Sequence, residues 1–232
     1  MPNHDRIYQS EAERYDRLIS REDVSNNLLK TMRKVSPELS DLHVADLGAG
    51  TGRLTTMLAP LVRSIVAIDS SESMLEVATA KLRGMGAENW LTKVGYHDEM
   101  PLADNSIDLL TAGWTICYST SSNNSDWREQ LERIMDEISR VLRPEGTVII
   151  FENFGTGTEQ PSPPDFLTSY YNALEQDFGF EHVAIRTDYQ FESTEEAVEL
   201  IRFFFGEAFS SGIEASGRTS FPEWTGVWWK RL

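Results

Sequence analysis

The stretch Val44-Ala45-Asp46-Leu47-Gly48-Ala49-Gly50-Thr51-Gly52-Arg53 constrains this chain more than any other. Three apolar residues and a carboxylate run into Gly48, Gly50 and Gly52, and Leu54, Met57, Leu58 and Leu61 follow at helical spacing. The pattern predicts a short buried strand, a glycine loop and a helix start. A turn this tight needs glycine because some positions demand positive φ and because a ligand can approach the backbone only where no Cβ intervenes. Unpaired N–H groups at the start of the helix then face the loop, which marks a site for a nucleotide-like ligand. The dinucleotide fingerprint requires a third glycine three residues after the second. Here that position is Arg53, the third glycine comes early at Gly52, and Asp46 lies outside that fingerprint.

The rest of the chain alternates around this loop. Residues 64–69 form an apolar run that ends in Asp69, a buried parallel strand by its composition. Asp69 follows Gly48 by 21 positions, the distance at which a carboxylate closing the second strand accepts from ribose hydroxyls. Its alternative role, capping the next helix, is better suited to Ser70, Ser71 or Ser73. Further strands are predicted over 90–94, 107–111 and 147–151. Between the last two, Trp127, Leu131, Ile134, Ile138 and Val141 share one helix face, stopped by Arg143-Pro144-Glu145-Gly146. This alternation predicts an α/β fold with a doubly wound, mostly parallel sheet. Ligands sit beyond the carboxyl ends of such strands, so Trp114 and Tyr118, just after the fourth, either line the pocket or pack in the core.

The flanks are less regular. Residues 7–35 read as two helices broken near 20–25, in which Tyr8 and Tyr15 either cover the ligand or pack on the core. Beyond Phe151 come Glu152 at a strand end, a helix over 165–178, a strand over 180–191, a capping box at Ser193 and Glu196 opening a helix to Phe205, and a last strand over 224–230. Phe203, Phe204, Phe205, Phe209 and Phe221 with Trp224, Trp228 and Trp229 form either a core or the wall of an apolar substrate pocket.

Charge and composition exclude several classes of function. The net charge is −16, and residues 151–232 hold five basic side chains against fourteen acidic ones. A protein that grips phosphate backbones needs the opposite balance, so no nucleic-acid partner is expected. Cys117 is the only cysteine and four histidines are scattered, so neither a disulfide nor a metal site is expected. No run approaches about 18 apolar residues, and the polar start, residues 1–10, is unlike a signal peptide. The expectation is a cytoplasmic protein without membrane contact, a monomer or homodimer.

Several motifs in order resemble the class I S-adenosylmethionine-dependent methyltransferases, in their type 11/25-like small-molecule branch. Asp46, Gly48, Gly50 and Gly52 match D-x-G-x-G-x-G. The segment Asp69-Ser70-Ser71-Glu72-Ser73-Met74-Leu75 matches D-x-S-x-x-M-L, and Met100 to Leu110 resembles L-P-f-x-d-n-s-F-D-x-V. The Arg143 to Gly146 turn is similar to R-x-L-k-P-G-G, with Glu145 departing from it, and Tyr15 stands in a "YDRL" sequence like one used by covering helices of the family. The resemblance implies a seven-stranded sheet with an antiparallel last strand, N-terminal helices over the cofactor (1–40), an S-adenosylmethionine-binding core (41–152) and a completion of the sheet with a small helical cap (153–232). It implies cofactor contacts at Tyr15, Asp46, Gly48, Ala49, Gly50, Asp69, Ser70, Met74, Tyr96, His97, Asp98 and Trp114. Met74 packs on adenine in this reading, or else fills the core. Tyr96 stands where the family carries an Asp that accepts from the adenine amino group, so adenine is held by the backbone around Tyr96 and His97 or by the Asp98 side chain. The implied reaction is methyl transfer to a small-molecule acceptor at O, N or C. Glu152 and Tyr118 are the candidate catalytic bases if that acceptor must lose a proton. The chain lacks the N-P-P-Y tetrapeptide of DNA and protein amino-methylases. A regulatory protein that only binds the cofactor, and an NAD-dependent oxidoreductase, are the alternatives.

Overall fold

The computed structural model describes residues 4–232, so the start of the polar 1–10 stretch, residues 1–3, lies outside the described residues. Nine strands are β1 (His43–Leu47), β2 (Ser64–Asp69), β3 (Trp90–Val94), β4 (Ile107–Gly113), β5 (Leu142–Thr156), β6 (Glu181–Arg186), β7 (Tyr189–Gln190), β8 (Ser220–Phe221) and β9 (Glu223–Arg231). The helices are α1 (His4–Ser10), α2 (Ala12–Ile19), α3 (Asn27–Val35), α4 (Arg53–Leu58), α5 (Glu72–Gly84), α6 (Cys117–Thr120), α7 (Trp127–Val141), α8 (Thr168–Gln176), α9 (Thr194–Phe205) and α10 (Glu207–Ser216). Seven strands make one sheet in the order β3-β2-β1-β4-β5-β9-β6, in which β9 runs opposite to the other six. The expected doubly wound architecture is therefore present, with its antiparallel last strand.

Strand parity divides the core into two layers. Ala45, Leu110, Val148 and Ile150 face α7 and α8 on one side, whereas Val44, Leu109, Ile149 and Phe151 face α3, α4 and α5 on the other. Helix α7 shows how one of these layers is closed. Leu131, Ile134, Met135, Ile138 and Val141 recur every three or four residues and are all buried, each contributing about 1.5–3 kcal/mol. The helix stops at Val141 because Arg143 precedes Pro144 and is pushed out of the α region. The turn that follows is held by the Arg143 guanidinium, 2.8 Å from both oxygens of Asp108. That turn continues straight into β5, which makes the fifth strand longer than the sequence pattern suggested.

The N-terminal segment forms three helices rather than two. The chain breaks again at Glu11, between α1 and α2. The expected break after Ile19 is built on Asp23 and Asn26, both at positive φ, and the Asp23 carboxylate accepts from the Asn27 and Leu28 N–H groups at 2.7 and 2.9 Å to start α3. Residues 21–23 then run alongside the C-terminal part of the chain. Gln190 N–H donates to Arg21 C=O, Asp23 N–H donates to Thr187 and Asp188 C=O, and Glu22 forms an antiparallel bridge with Tyr189.

This crossing shortens the predicted sixth strand. Its end peels away as β7 to pair with β8 in a separate two-stranded sheet. Helix α9 carries one half of the expected capping box: Ser193 Oγ accepts from Glu196 N–H, but the Glu196 carboxylate accepts from Glu192 N–H, one residue before the cap. Leu18 of α2 packs with Tyr189, Phe191, Leu200, Ile201, Ile213 and Phe221 in a third cluster. Of the aromatic segment, Phe221 and Trp228 are core, and the others are half-buried or, like Phe209, exposed. Phe205, Phe209 and Phe221 pack on one another, and Trp228 is buried against Tyr171 and His182. No helix among the described residues is long and apolar enough to cross a membrane.

Candidate functional site

A cavity of about 380 Å³ opens at the carboxyl ends of β1, β2 and β4, under α1 and α2. Its floor is the glycine loop, where Gly48, Gly50 and Gly52 all lie at positive φ. Two of the three also permit close approach. A Cβ on Gly48 would fall 2.1 Å from Thr115 Oγ1, and one on Gly52 would fall 2.9 Å from Ala78 Cβ. A Cβ on Gly50 would meet only Met74 Cε at 3.4 Å, so the space above Gly50 is open toward the cavity. Asp46 lies beneath the loop, fully buried and bonded to the Thr55 and Thr111 hydroxyls, the latter at 3.0 Å. Burial pushes its carboxyl up to about 6.

Asp69 closes β2 at the rim. Its Oδ2 accepts from Gly50 N–H and its Oδ1 from Ser71 N–H, both at 2.8 Å. These bonds fix the carboxylate against the glycine loop and leave each oxygen lone pairs for a further donor. The helix cap itself is Ser71, whose Oγ accepts from Met74 N–H. Ser70 and Met74 line the same cavity.

On the opposite rim, Tyr96 and Glu99 exchange backbone hydrogen bonds in a tight turn that leaves the Tyr96 ring 60% exposed. His97 turns inward, its Nε2 2.7 Å from Thr115 Oγ1, and burial holds its pKa below the ordinary imidazole value, so the ring is neutral. Asp98 is exposed at the edge. Trp114 takes a left-handed backbone (φ 52°), stacks on Phe151 and carries the Arg53 guanidinium 4.4 Å above its ring.

The roof comes from remote segments. Tyr8 of α1 meets Tyr15 of α2 edge-on at 5.3 Å, and the Tyr8 and Tyr118 hydroxyls are hydrogen-bonded at 2.5 Å. Phe204 from the end of α9 backs Tyr8 and Tyr15, and His4 stacks on it. Burial raises all three phenols above their ordinary value, so they remain protonated at neutral pH. Polar ties hold α2 in place. Asp16 Oδ1 accepts from Thr51 Oγ1 and from Lys81 Nζ, each at 2.7 Å. Just beyond α2, Glu22 pairs with Arg53 at 2.7 Å, with side chains 3% and 13% exposed.

All twelve residues expected at the cofactor, and Tyr118, therefore line one cavity. Glu152 does not: it is fully buried on the other face of β5, outside the cavity lining. Arg53, Ile19 and Gln130, not among the expected site residues, also line the cavity, as does Thr115 in the strand-four exit. Tyr8, placed there only as an alternative, is a full member of the roof. Its seven-residue spacing from Tyr15 is the available signal; for Thr115 it is the place just beyond the fourth strand's carboxyl end. Among the described residues no group of three or more His, Cys, Asp or Glu side chains could hold a metal ion.

A family profile described as "Methyltransferase domain" matches residues 45–150. The chain is 29% identical over 170 residues to the ubiquinone/menaquinone biosynthesis C-methyltransferase UbiE of Rubrivivax gelatinosus, covering 72% of this chain and 59% of that protein. It is 33% identical over 177 residues to a demethylmenaquinone methyltransferase of Staphylococcus aureus, covering 71% of this chain and 64% of the relative. The chain thus spans less than two thirds of the length of these curated relatives. Its fold is shared with a solved SAM-dependent methyltransferase from Aquifex aeolicus, with a TM-score of 0.54, 16% identity, and 97% of this chain and 93% of that one covered.

Proposed function

We propose, on the premise that residues 45–150 are a class I S-adenosylmethionine-dependent methyltransferase domain, that the chain methylates a small aromatic or apolar acceptor. The observation that carries the cofactor half of this reading is Asp69, its two oxygens bound to Gly50 and Ser71 N–H groups at the mouth of a cavity whose glycine floor carries no Cβ. Such a carboxylate accepts from a ribose diol, the open backbone at Gly50 admits the rest of the nucleoside, and Met74 and the His97 turn bound the space for adenine. Bound there, S-adenosylmethionine supplies an electrophilic methyl group on a sulfonium. The task left to the protein is to orient the nucleophile and exclude water.

The acceptor half rests on the roof. Tyr8, Tyr118 and Trp114 offer aromatic faces and neutral hydroxyls. The one cation among the residues lining this cavity, Arg53, is already paired with Glu22, so the site offers little to a phosphate- or carboxylate-bearing acceptor. A phenol that keeps its proton cannot serve as a base, so Tyr118 donates a hydrogen bond to orient the acceptor. A quinol-type ring suits this chamber, as the names of the two quinone-pathway relatives also suggest.

Isothermal titration with S-adenosylhomocysteine tests the premise. Wild type should bind, and Asp69→Ala should weaken binding at least about tenfold, the worth of charge-assisted hydrogen bonds. Unchanged affinity in the variant would remove the ribose assignment. Release of S-adenosylhomocysteine in the presence of 1,4-dihydroxynaphthalene tests the acceptor class, and binding without release would overturn the quinol-type acceptor.

A further inference from the structure

Glu152 is the buried carboxyl that the proposed reaction leaves unused. It lies at the level of the cavity but on the α7 and α8 side of β5, with its side chain wholly enclosed. Its Oε1 accepts from Cys117 N–H at 3.0 Å, the first amide of α6, and from the Tyr170 hydroxyl of α8 at 3.4 Å. Its Oε2 is buried without a partner. Helix α6 is a single turn, and its second residue is Tyr118, whose hydroxyl meets Tyr8 in the cavity roof. A helix this short cannot hold itself in place by propagation of its own hydrogen bonds. Anchoring from outside is required, and the carboxyl of Glu152 lies at its amino end.

We propose that Glu152 is a positioning residue that, from behind the cavity wall, holds the Cys117 amide and thereby sets where the Tyr118 hydroxyl meets the methyl acceptor. The inference rests on the reading of Tyr118 as the group that orients the acceptor. The groups around the carboxyl agree with such a role. Cys117 from α6 and Tyr170 and Tyr171 from α8 face it, Tyr118 lies within its electrostatic reach, and none of these is basic. With no cation to balance it, burial pushes the carboxyl up to about 7. The neutral form still presents Oε1 to the Cys117 amide, whereas the ionised form is a buried charge with no cation beside it. The closed anchor is therefore fully favoured below the ordinary carboxyl value of 4.5 and loses that advantage as pH rises through about 7.

Two variants separate the anchor from a catalytic base. Glu152→Gln keeps the accepting oxygen and cannot ionise; Glu152→Leu fills the space and removes the acceptor. Amide hydrogen exchange of the peptide over 116–120, corrected for intrinsic rate, reads the anchor with no ligand present. Wild type and Glu152→Gln should agree within about twofold near pH 4.5, and Glu152→Leu should there exchange about tenfold faster, the equivalent of one lost hydrogen bond. Wild type should also lose protection there as pH rises from about 4.5 to about 7, and Glu152→Gln should not. With 1,4-dihydroxynaphthalene as acceptor probe, Glu152→Leu should raise the acceptor KM about tenfold while affinity for S-adenosylhomocysteine holds within threefold, and Glu152→Gln should match wild type. Unchanged exchange in Glu152→Leu, or exchange in Glu152→Gln as fast as in Glu152→Leu, overturns the proposal. A collapse of kcat in Glu152→Gln with protection retained overturns it in favour of a base. If Glu152→Leu does not fold, the pH dependence of wild type against Glu152→Gln decides alone. If the probe is not methylated, the exchange result still stands, so failure of the acceptor assignment and failure of the anchor remain distinct.

Discussion

Adding one methyl group at Gly48 tests how the glycine loop and the strand-four exit fit together. In Gly48→Ala the new Cβ would lie 2.1, 2.4 and 2.6 Å from Oγ1, Cβ and Cγ2 of Thr115, all far inside contact distance. Thr115 cannot give way freely, because its hydroxyl is bonded to His97 and it follows Trp114, which is already in a left-handed conformation. Alanine at φ 65° adds backbone strain of about 1–2 kcal/mol. The steric overlap adds about 1–3 kcal/mol. The expected loss is therefore about 2–5 kcal/mol, a large part of a domain's total stability of roughly 5–15 kcal/mol. Thr115→Gly removes all three overlapping atoms. In that background Gly48→Ala should cost only the backbone strain, so a double-mutant cycle should give a coupling of about 1–3 kcal/mol. Urea unfolding of the four proteins, compared at constant m, measures it. A loss below about 0.5 kcal/mol in Gly48→Ala, or the same loss in both backgrounds, would refute the packing argument.

Two further outcomes follow from the roof and from the carboxylate beneath the loop. Tyr118→Phe removes the hydroxyl that bonds Tyr8 from a half-exposed side chain; it should change stability by less than about 1 kcal/mol yet raise the KM for 1,4-dihydroxynaphthalene, and an unaffected KM would show that the hydroxyl does not orient the acceptor. Asp46 binds its proton more tightly in the folded protein, where burial pushes its carboxyl from 3.8 to about 6, than in the unfolded chain. That stabilisation is full below about pH 4 and disappears as pH rises through about 6, amounting to about 3 kcal/mol. The stability difference between wild type and Asp46→Asn, read from urea midpoints, should therefore fall between pH 4 and 7, and a constant difference contradicts the burial argument.

The parts legible in the sequence were those that one-dimensional periodicity determines. Buried parallel strands announce themselves as continuous apolar runs, and the glycine loop, Asp69 and the helix cap at Ser193 each carry their geometry in local spacing. What escaped depends on which face of a strand meets which layer. The sequence places Glu152 at a strand end, whereas β5 runs on to Thr156 and leaves it inside the strand, and alternation alone does not say which of two adjacent residues looks into a ligand cavity. Parity sets it with Ile150 toward α8, while Phe151 lies under Trp114. Tyr96 lines the cavity as expected, but the paired amides of the 96–99 turn send its ring outward to the rim and bring His97 in, which local spacing does not show. The break between α1 and α2 was invisible because Tyr8 and Tyr15 keep helical spacing across it. The small sheet of β7 and β8 has no local signature at all, because its partner for bridging, Glu22, lies in another part of the chain.

That last pairing bears on how the protein is made. Residues 21–23 find their hydrogen-bond partners in residues 187–190, and Leu18 finds its apolar neighbours in α9 and α10. During synthesis from the amino end, the first helices emerge early and the central sheet can assemble behind them, since domains fold as units while the ribosome advances. The roof cannot dock until nearly all of the chain has been translated, because its partners do not yet exist. The glycine-loop side of the cleft is thus assembled before the roof that Asp16, Lys81 and the Glu22–Arg53 pair tie down.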